Sequence, residues 1–305
     1  MEQIIISILT RALVAGTPLL LATIGEIITE RSGVINLGVE GMMAIGAVYG
    51  FIAAYLSGNP WIGLICAVCM SGFVSLIHGF VSITLQANQV VSGLALTLFG
   101  LGASGLWGRP FIGKPLEVKI QALSIPLLSD IPYVGEILFE HDPYFYLSII
   151  LGIGAWFLLY KTKIGIIIRS VGENPEAAHS QGIPVRRIQY LCVLAGGAFA
   201  GMAGSHLSLA YSKSWIEGMT AGRGWIVIAL TIFSLWNPAR VFFGAFLFGG
   251  IFVLQYILQP LGISPNLLAT LPYLTTLGIL VVYGFKSDWH SKMHAPGMLG
   301  EPFRK

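Results

Sequence analysis

The sequence predicts an all-α fold: a polytopic membrane bundle of about nine helices, with eight to ten compatible with its soft, Gly-interrupted edges. Composition gives the first reason. Of 305 residues, 55% are hydrophobic and only 10% are charged, where soluble globular domains carry roughly 25% charged residues. Mean hydropathy is +0.79. Patterning gives the second. The apolar residues form repeated continuous runs of about 20, the length that crosses a bilayer as a helix. A β-barrel would instead alternate in polarity over strands of about ten residues.

The runs place spans near 4–24, 34–56, 61–83, 88–107, 144–160, 188–210, 222–236, 240–258 and 266–284. The first begins at Ile4 without a signal-peptide cleavage pattern, so it is expected to stay in the membrane. Small residues four apart (Gly46/Gly50, Gly197/Gly201, Gly218/Gly222) let helices approach closely in lipid, and packing is their expected role. Cys66 and Cys69 form C-x-x-C but lie among Leu64, Ile65, Ala67, Val68 and Met70. With no Cys or His nearby to complete a site, they read as core-packing residues.

Charge distribution orients the chain. Segment 161–187 holds Lys161, Lys163, Arg169, Arg186 and Arg187 against Glu173 and Glu176. The tail from 285 holds Lys286, Lys292, Arg304 and Lys305 against Asp288 and Glu301. Both read as cytoplasmic by the positive-inside rule. Segment 108–143 carries five acids and five prolines and reads as the largest external loop. Counting back from it places the N-terminus outside. No part is long enough to fold alone in water, so residues 1–305 form one integral membrane domain.

Enzyme motifs do not survive inspection. Gly100-Leu101-Gly102-Ala103-Ser104-Gly105 matches G-x-G-x-x-G but lies inside an apolar span without a βαβ context. The P-loop-like run from Gly108 to Pro115 has proline where the magnesium-binding hydroxyl belongs. His78, His179 and His206 are isolated in sequence, and no nucleophile motif is present. The chain is expected to hold no cofactor and to catalyse nothing itself.

Four polar segments stand out. In Gly172-Glu173-Asn174-Pro175-Glu176-Ala177-Ala178-His179-Ser180-Gln181-Gly182-Ile183, Asn174 and Pro175 fit an N-cap followed by an N1 proline. Glu176 favours the positive helix end, and Gly182 suits the left-handed position past the last turn. The spacing predicts a helix over 175–181. A helix that short is marginal alone and needs a docking surface; the plainer reading is a loop helix packed on its own bundle. In Glu26 to Met43, two readings fit. Glu26 and Glu40 border apolar runs and intramembrane acids normally face a cavity or partner, with Gly33, Gly38 and Gly41 permitting unwound backbone on a substrate path. Alternatively, the segment is a cytoplasmic turn with Asn36 as a helix cap. In Ala87-Asn88-Gln89-Val90-Val91-Ser92-Gly93, Asn88, Gln89 and Ser92 fall near one helical face. Amides and a hydroxyl suit a sugar or base, or else a helix start that bonds itself. In Ala221-Gly222-Arg223-Gly224-Trp225, Arg223 is expected at an external mouth, either contacting a docked protein or, the plainer reading, reaching for headgroups.

Residues 172–178 with Gly182 and Ile183 resemble the coupling-helix signature of ABC importer permeases, within the branched-chain amino acid/simple-sugar superfamily. Thr29 to Met43, Ala87 to Leu94, Ala221 to Trp225 with Trp236-Asn237-Pro238, and the tail Ala295 to Gly300 resemble its nucleoside-type branch. The resemblance implies a type II-like importer fold. It also implies two cytoplasmic ABC ATPase subunits or domains, a second related permease chain or a homodimer, and an external substrate-binding protein or lipoprotein. The remaining contacts would be a small-molecule substrate and membrane lipid, with no nucleic acid. It makes Gly172, Glu173, Asn174, Pro175, Glu176, Ala177, Ala178 and Gly182 the ATPase-coupling residues. Asn36, Glu40, Asn88, Gln89 and Ser92 are the substrate-path candidates. The expected function is uptake of a nucleoside or simple sugar across a prokaryotic plasma membrane by alternating access. An amino-acid or other sugar importer is the alternative, followed by an ion-coupled secondary transporter built on Glu26 and Glu40.

Overall fold

The computed structural model describes residues 2–118, 120–285 and 295–303. Lys286, Asp288, Lys292, Arg304 and Lys305, which entered the charge argument, lie outside the described residues.

All nine apolar runs are helical. The long helices are α1 (Glu2–Glu30), α2 (Val39–Ser57), α3 (Pro60–Gly79, extended by a π turn to Thr84) and α4 (Gln89–Gly108). They continue with α6 (Pro143–Lys161), α9 (Val185–His206, extended by a π turn to Tyr211) and α11 (Pro238–Leu258). These seven are long and apolar enough to cross a bilayer. The other two runs give shorter helices, α10 (Arg223–Phe233) and α13 (Leu271–Phe285). The expectation of nine spans thus becomes seven full-length helices and two shorter ones among the described residues. The run near 222–236 falls short because backbone of positive φ brackets it. Ala221 and Gly222 precede α10, and Leu235 and Trp236 follow it. Between the membrane helices lie α5 (Val134–Leu138), α7 (Lys163–Glu173), α8 (Pro175–Ser180) and α12 (Pro265–Leu268). Strands β1 (Leu123–Ser124) and β2 (Glu140–His141) pair antiparallel in the 112–142 loop.

Four helix starts obey one local rule. Asn59, Asp142, Asn174 and Asn237 each stand before a proline and accept hydrogen bonds from the first-turn amides, at 2.9 to 3.2 Å. The side chain satisfies amides with no intrahelical partner, and proline's fixed φ suits the first helical position.

Helices α2 and α9 are the most enclosed spans. Small residues let them meet: Gly46 of α2 lies against Gly201 of α9, where any Cβ would strike backbone. Gly197 similarly faces Ser75 of α3. Such contact substitutes backbone packing for the hydrophobic drive that lipid removes. Gly218 and Gly222 depart from this pattern: both sit in turns before α10, with φ of 70° and 77°, so their four-residue spacing is not a helix interface.

Gly46→Val is expected to cost about 1–3 kcal/mol by overpacking. Gly102→Ala on α4, where an added Cβ meets nothing within 4 Å, should be neutral or slightly stabilising. Thermal unfolding of the two variants in detergent checks the contrast.

Candidate functional site

The backbone leaves helical form between α1 and α2. Residues 33–38 are non-helical, and Gly33, Val34, Asn36 and Gly38 are buried there. Away from water, each freed backbone group needs a protein partner. Gln89 Oε1 accepts from Ile35 N at 2.7 Å, and Thr97 Oγ1 donates to the Leu37 carbonyl at 2.8 Å. His78 Nε2 lies 2.9 Å from the Ile35 carbonyl. A carbonyl only accepts, so Nε2 carries the hydrogen, and Nδ1 of the neutral ring takes the Ser92 hydroxyl at 3.0 Å. Asn36 folds back so that Oδ1 accepts from Gly38 N at 3.0 Å, while Nδ2 donates to Glu26 Oε2 at 3.2 Å. Asn36 is therefore not the cap of α2; Gly38 holds that place without a side-chain bond.

Glu40 turns away from this group toward the second interruption. Its Oε1 accepts from the Thr220 hydroxyl at 2.6 Å and from Gly222 N at 2.9 Å, and its Oε2 from Gly224 N at 2.5 Å. A carboxylate from α2 thus caps the positive end of the short helix α10. Gly224 leaves room for it, since a Cβ there would collide with Glu40 backbone. The far end of α10 returns to the first break. The Trp236 indole donates to the Glu30 carboxylate. Arg31 Nε donates to the Trp236 carbonyl at 3.1 Å, and its Nη2 to the Leu235 carbonyl at 3.3 Å. Glu26 Oε1 is buried without a hydrogen-bond partner.

The path candidates therefore split. Gln89 supports the 33–38 backbone, and Asn88 caps α4 by accepting from Val91 N at 3.0 Å. Asn88 and Ser92 also line a largely apolar groove of about 530 Å³ beside His78. Arg223 corrects its expectation: it is 6% exposed and buried within the bundle. Its Nη1 donates to the carbonyls of Met219 and Thr220 at 3.0 and 3.2 Å. The guanidinium lies 4.7 Å from the Phe252 ring centroid. The sequence signals for these links were the acids in apolar runs and the Gly222-Arg223-Gly224 turn, but neither names its partner.

At the end of the bundle carrying α7, the expected helix over 175–181 is α8, one residue shorter. Pro175 and Ala178 are buried, while Glu173, Asn174, Glu176, Ala177 and His179 are exposed. Gly172 and Glu173 belong to α7. Gly182 follows α8 at φ 81°, its amide bonded to the His179 carbonyl at 2.9 Å. Residues 295–303 run across this unit as a strap. Met298 N donates to the Gly172 carbonyl at 3.0 Å, and Gly297 N to Glu173 Oε2 at 3.1 Å. Gly300 N donates to the Gly33 carbonyl at 3.1 Å, and Phe303 packs with Val171, Ala178 and Val185. Gln86 Nε2 donates to the Phe303 carbonyl at 2.9 Å. One strap thus touches α7, α8, the first break and the link between α3 and α4.

At the opposite end, Asp142 faces the buried His206, Nε2 to Oδ2 3.6 Å. Burial alone would raise the Asp142 carboxyl. His206 and the Phe145 and Tyr144 amides outweigh that and hold it below its ordinary value. Among the described residues no group of three His, Cys, Asp or Glu side chains could hold a metal ion.

Paired interruptions buried against each other in a helical bundle are the architecture of a membrane transporter. Residues 8–280 match the family described as "Branched-chain amino acid transport system / permease component", and the chain belongs to that family. It is a permease component of an ABC transporter, multi-pass in the plasma membrane, and not an enzyme. Among curated relatives, it is 40% identical to the putative glucose ABC transporter permease protein TsgC13 of Haloferax volcanii, over 87% of this chain and 88% of that one. It is 34% identical to the guanosine ABC transporter permease protein NupQ of Bacillus subtilis, over 99% of this chain and 98% of that one. It is also 34% identical to the nucleoside ABC transporter permease protein NupC of Lactococcus lactis, over 79% and 80%. No solved structure matches the chain.

Glu40→Ala leaves the half-buried Gly222 amide and the buried Gly224 amide without their acceptor and is expected to cost about 1–3 kcal/mol for the buried donor, less for the other. Glu40→Gln keeps an acceptor oxygen and should lose less; detergent melting of both variants tests the order. Phe303→Asp should loosen α8 while sparing the membrane core, read as faster amide exchange confined to residues 171–185.

Proposed function

We propose that this chain is the permease subunit of an ATP-driven importer that moves a nucleoside or simple sugar by alternating access. The observation that carries the reading is α8. Six residues form a capped helix whose inner face is buried and whose outer face, with Glu176 and Ala177, is open. Its inner side is strapped to Gly33, the edge of the first interruption. A push on α8 reaches the interrupted helices through the strap, and Glu40, Glu30 and Arg31 carry it to α10. Residues 172–178 and Gly182 are the ATPase-coupling surface, resting in two cytoplasmic ATPase subunits or domains.

The same reading puts residues 161–187 and the tail in the cytoplasm, and the N-terminus and the 108–143 loop outside. Contact between Thr10 and the Glu136 carbonyl, 3.5 Å, supports a shared end for the last two. A substrate-binding protein or lipoprotein would dock there, and a second permease chain would complete the pathway. Asn36 and Glu40 serve the path by holding its two interruptions, as do Gln89 and Ser92, while Asn88 and Ser92 face the groove. ATP-driven closure does work only if the nucleotide states bind two permease conformations differently. The relatives named for glucose, guanosine and nucleosides support the substrate classes. An ion-coupled carrier is less well supported, because Glu40 and Glu30 are engaged by protein donors, Gly222 and Gly224 for the first and Trp236 for the second.

Ala177→Arg adds bulk to the open face of α8 and touches no buried contact. In proteoliposomes with the ATPases and binding protein, ATP-dependent uptake should fall at least about tenfold, since a misplacement of about 1 Å in a coupled site costs on that order or more. Melting temperature should hold. Undiminished uptake would reject the coupling assignment.

A further inference from the structure

At the end of the bundle away from α8, two cavities share a wall. The outer one, about 820 Å³, lies between α1 and α11 and carries Gln3, Ser7, Thr10 and Arg11. The inner one, about 250 Å³, is bounded by the end of α9, the turn before α10, α11 and the start of α13. Tyr211 and Tyr256 line both. Arg223, Phe252, Gln255 and Tyr273 line the inner chamber.

Arg223 is nine-tenths buried, yet its Nε is a donor without a partner. Its Nη1 is spent on carbonyls of its own turn. Guanidinium nitrogens only donate, so what completes Nε must be an acceptor. The guanidinium lies 4.7 Å from the Phe252 ring centroid and 5.9 Å from that of Tyr211, which sets this buried donor among aromatic rings at the chamber wall. The ligand need not bring negative charge. Glu40 bonds the amides of Gly222 and Gly224 on either side of Arg223 and already offsets it. Tyrosine rings, a planar cation and an amide suit a flat conjugated ring bearing carbonyl or ring-nitrogen acceptors, because such rings stack on both aromatic and guanidinium faces. A hexose offers no conjugated face.

We infer that the chamber in front of Arg223 is the station of the substrate within the membrane, that it takes the base of an uncharged nucleoside, and that the outer cavity is its vestibule. This rests on the permease reading above and chooses between its two substrate classes. A base seated there lies against the first turn of α10, beside the Glu40 cap, so its arrival bears on the link between the two interruptions.

The test uses the complete transporter in proteoliposomes, photolabelled with 8-azidoguanosine. Label is expected on peptides spanning 207–223, 252–256 or 269–273 of this chain, competed by unlabelled guanosine but not by glucose. Tyr256 is 55% exposed, so its variants should fold. Tyr256→Leu should lose the label and lower maximal guanosine uptake at least tenfold, and Arg223→Gln should match it. Label elsewhere in the chain, equal competition by glucose, or normal guanosine uptake by Tyr256→Leu and Arg223→Gln would overturn the assignment. Uptake of glucose with guanosine refused would overturn it too and leave the permease reading standing. Absence of ATP-driven uptake of either by the unmutated complex would instead overturn the permease reading.

Discussion

Backbone that leaves helical form inside an apolar bundle has no water to bond, and the protein is organised around that constraint. Two such places lie among the described residues, residues 33–38 and the turns that bracket α10. The first is satisfied by Gln89, His78 and Thr97 from other helices and by Asn36 of the break itself, the second by Glu40 and Arg31. Buried polar side chains thus supply the partners that water would otherwise provide at both places. Unsatisfied groups in hydrocarbon cost several kcal/mol each, so neither interruption persists without its partners.

The two interruptions are also bound to each other. Glu40 holds the beginning of α10, and Glu30 with Arg31 holds its end, so this short helix is gripped at both termini by the flanks of the first break. A displacement of one therefore cannot leave the other unchanged unless a buried hydrogen bond is lost. The strap over α8 extends this linkage to the exposed end of the bundle through Gly33. Glycines packed between α2 and α9 bring the backbones of the surrounding bundle into close contact.

Local features were legible in the sequence. The Asn-Pro and Asp-Pro starts, the apolar runs and the capped helix at 175 all depend on neighbours within a few residues, where propensity and spacing act. The links that build the site were not legible. Glu40 and Gly224 are 184 residues apart, and Glu30 and Trp236 are 206 apart. An acid in an apolar run announces that it needs a partner, without saying which. Arg223 misled for the same reason: an arginine at the head of an apolar run is equally compatible with headgroups and with a turn that folds inward, and only the positive φ of Ala221 and Gly222 decides between them. The shortness of α10 was hidden too, since its apolar run continues through the two left-handed residues that end the helix.

The strap has a consequence for how the protein is made. Gly297 bonds Glu173 across 124 residues of chain. At translation speeds of about 5–20 residues per second, α8 must wait several seconds after its own synthesis before residues 295–303 emerge to clamp it. During that interval α11 and α13 are still being laid into the membrane. The clamp on α8 is therefore completed only after the helices it is tied to through Gly33 have been synthesised, so this end of the bundle takes its final form last.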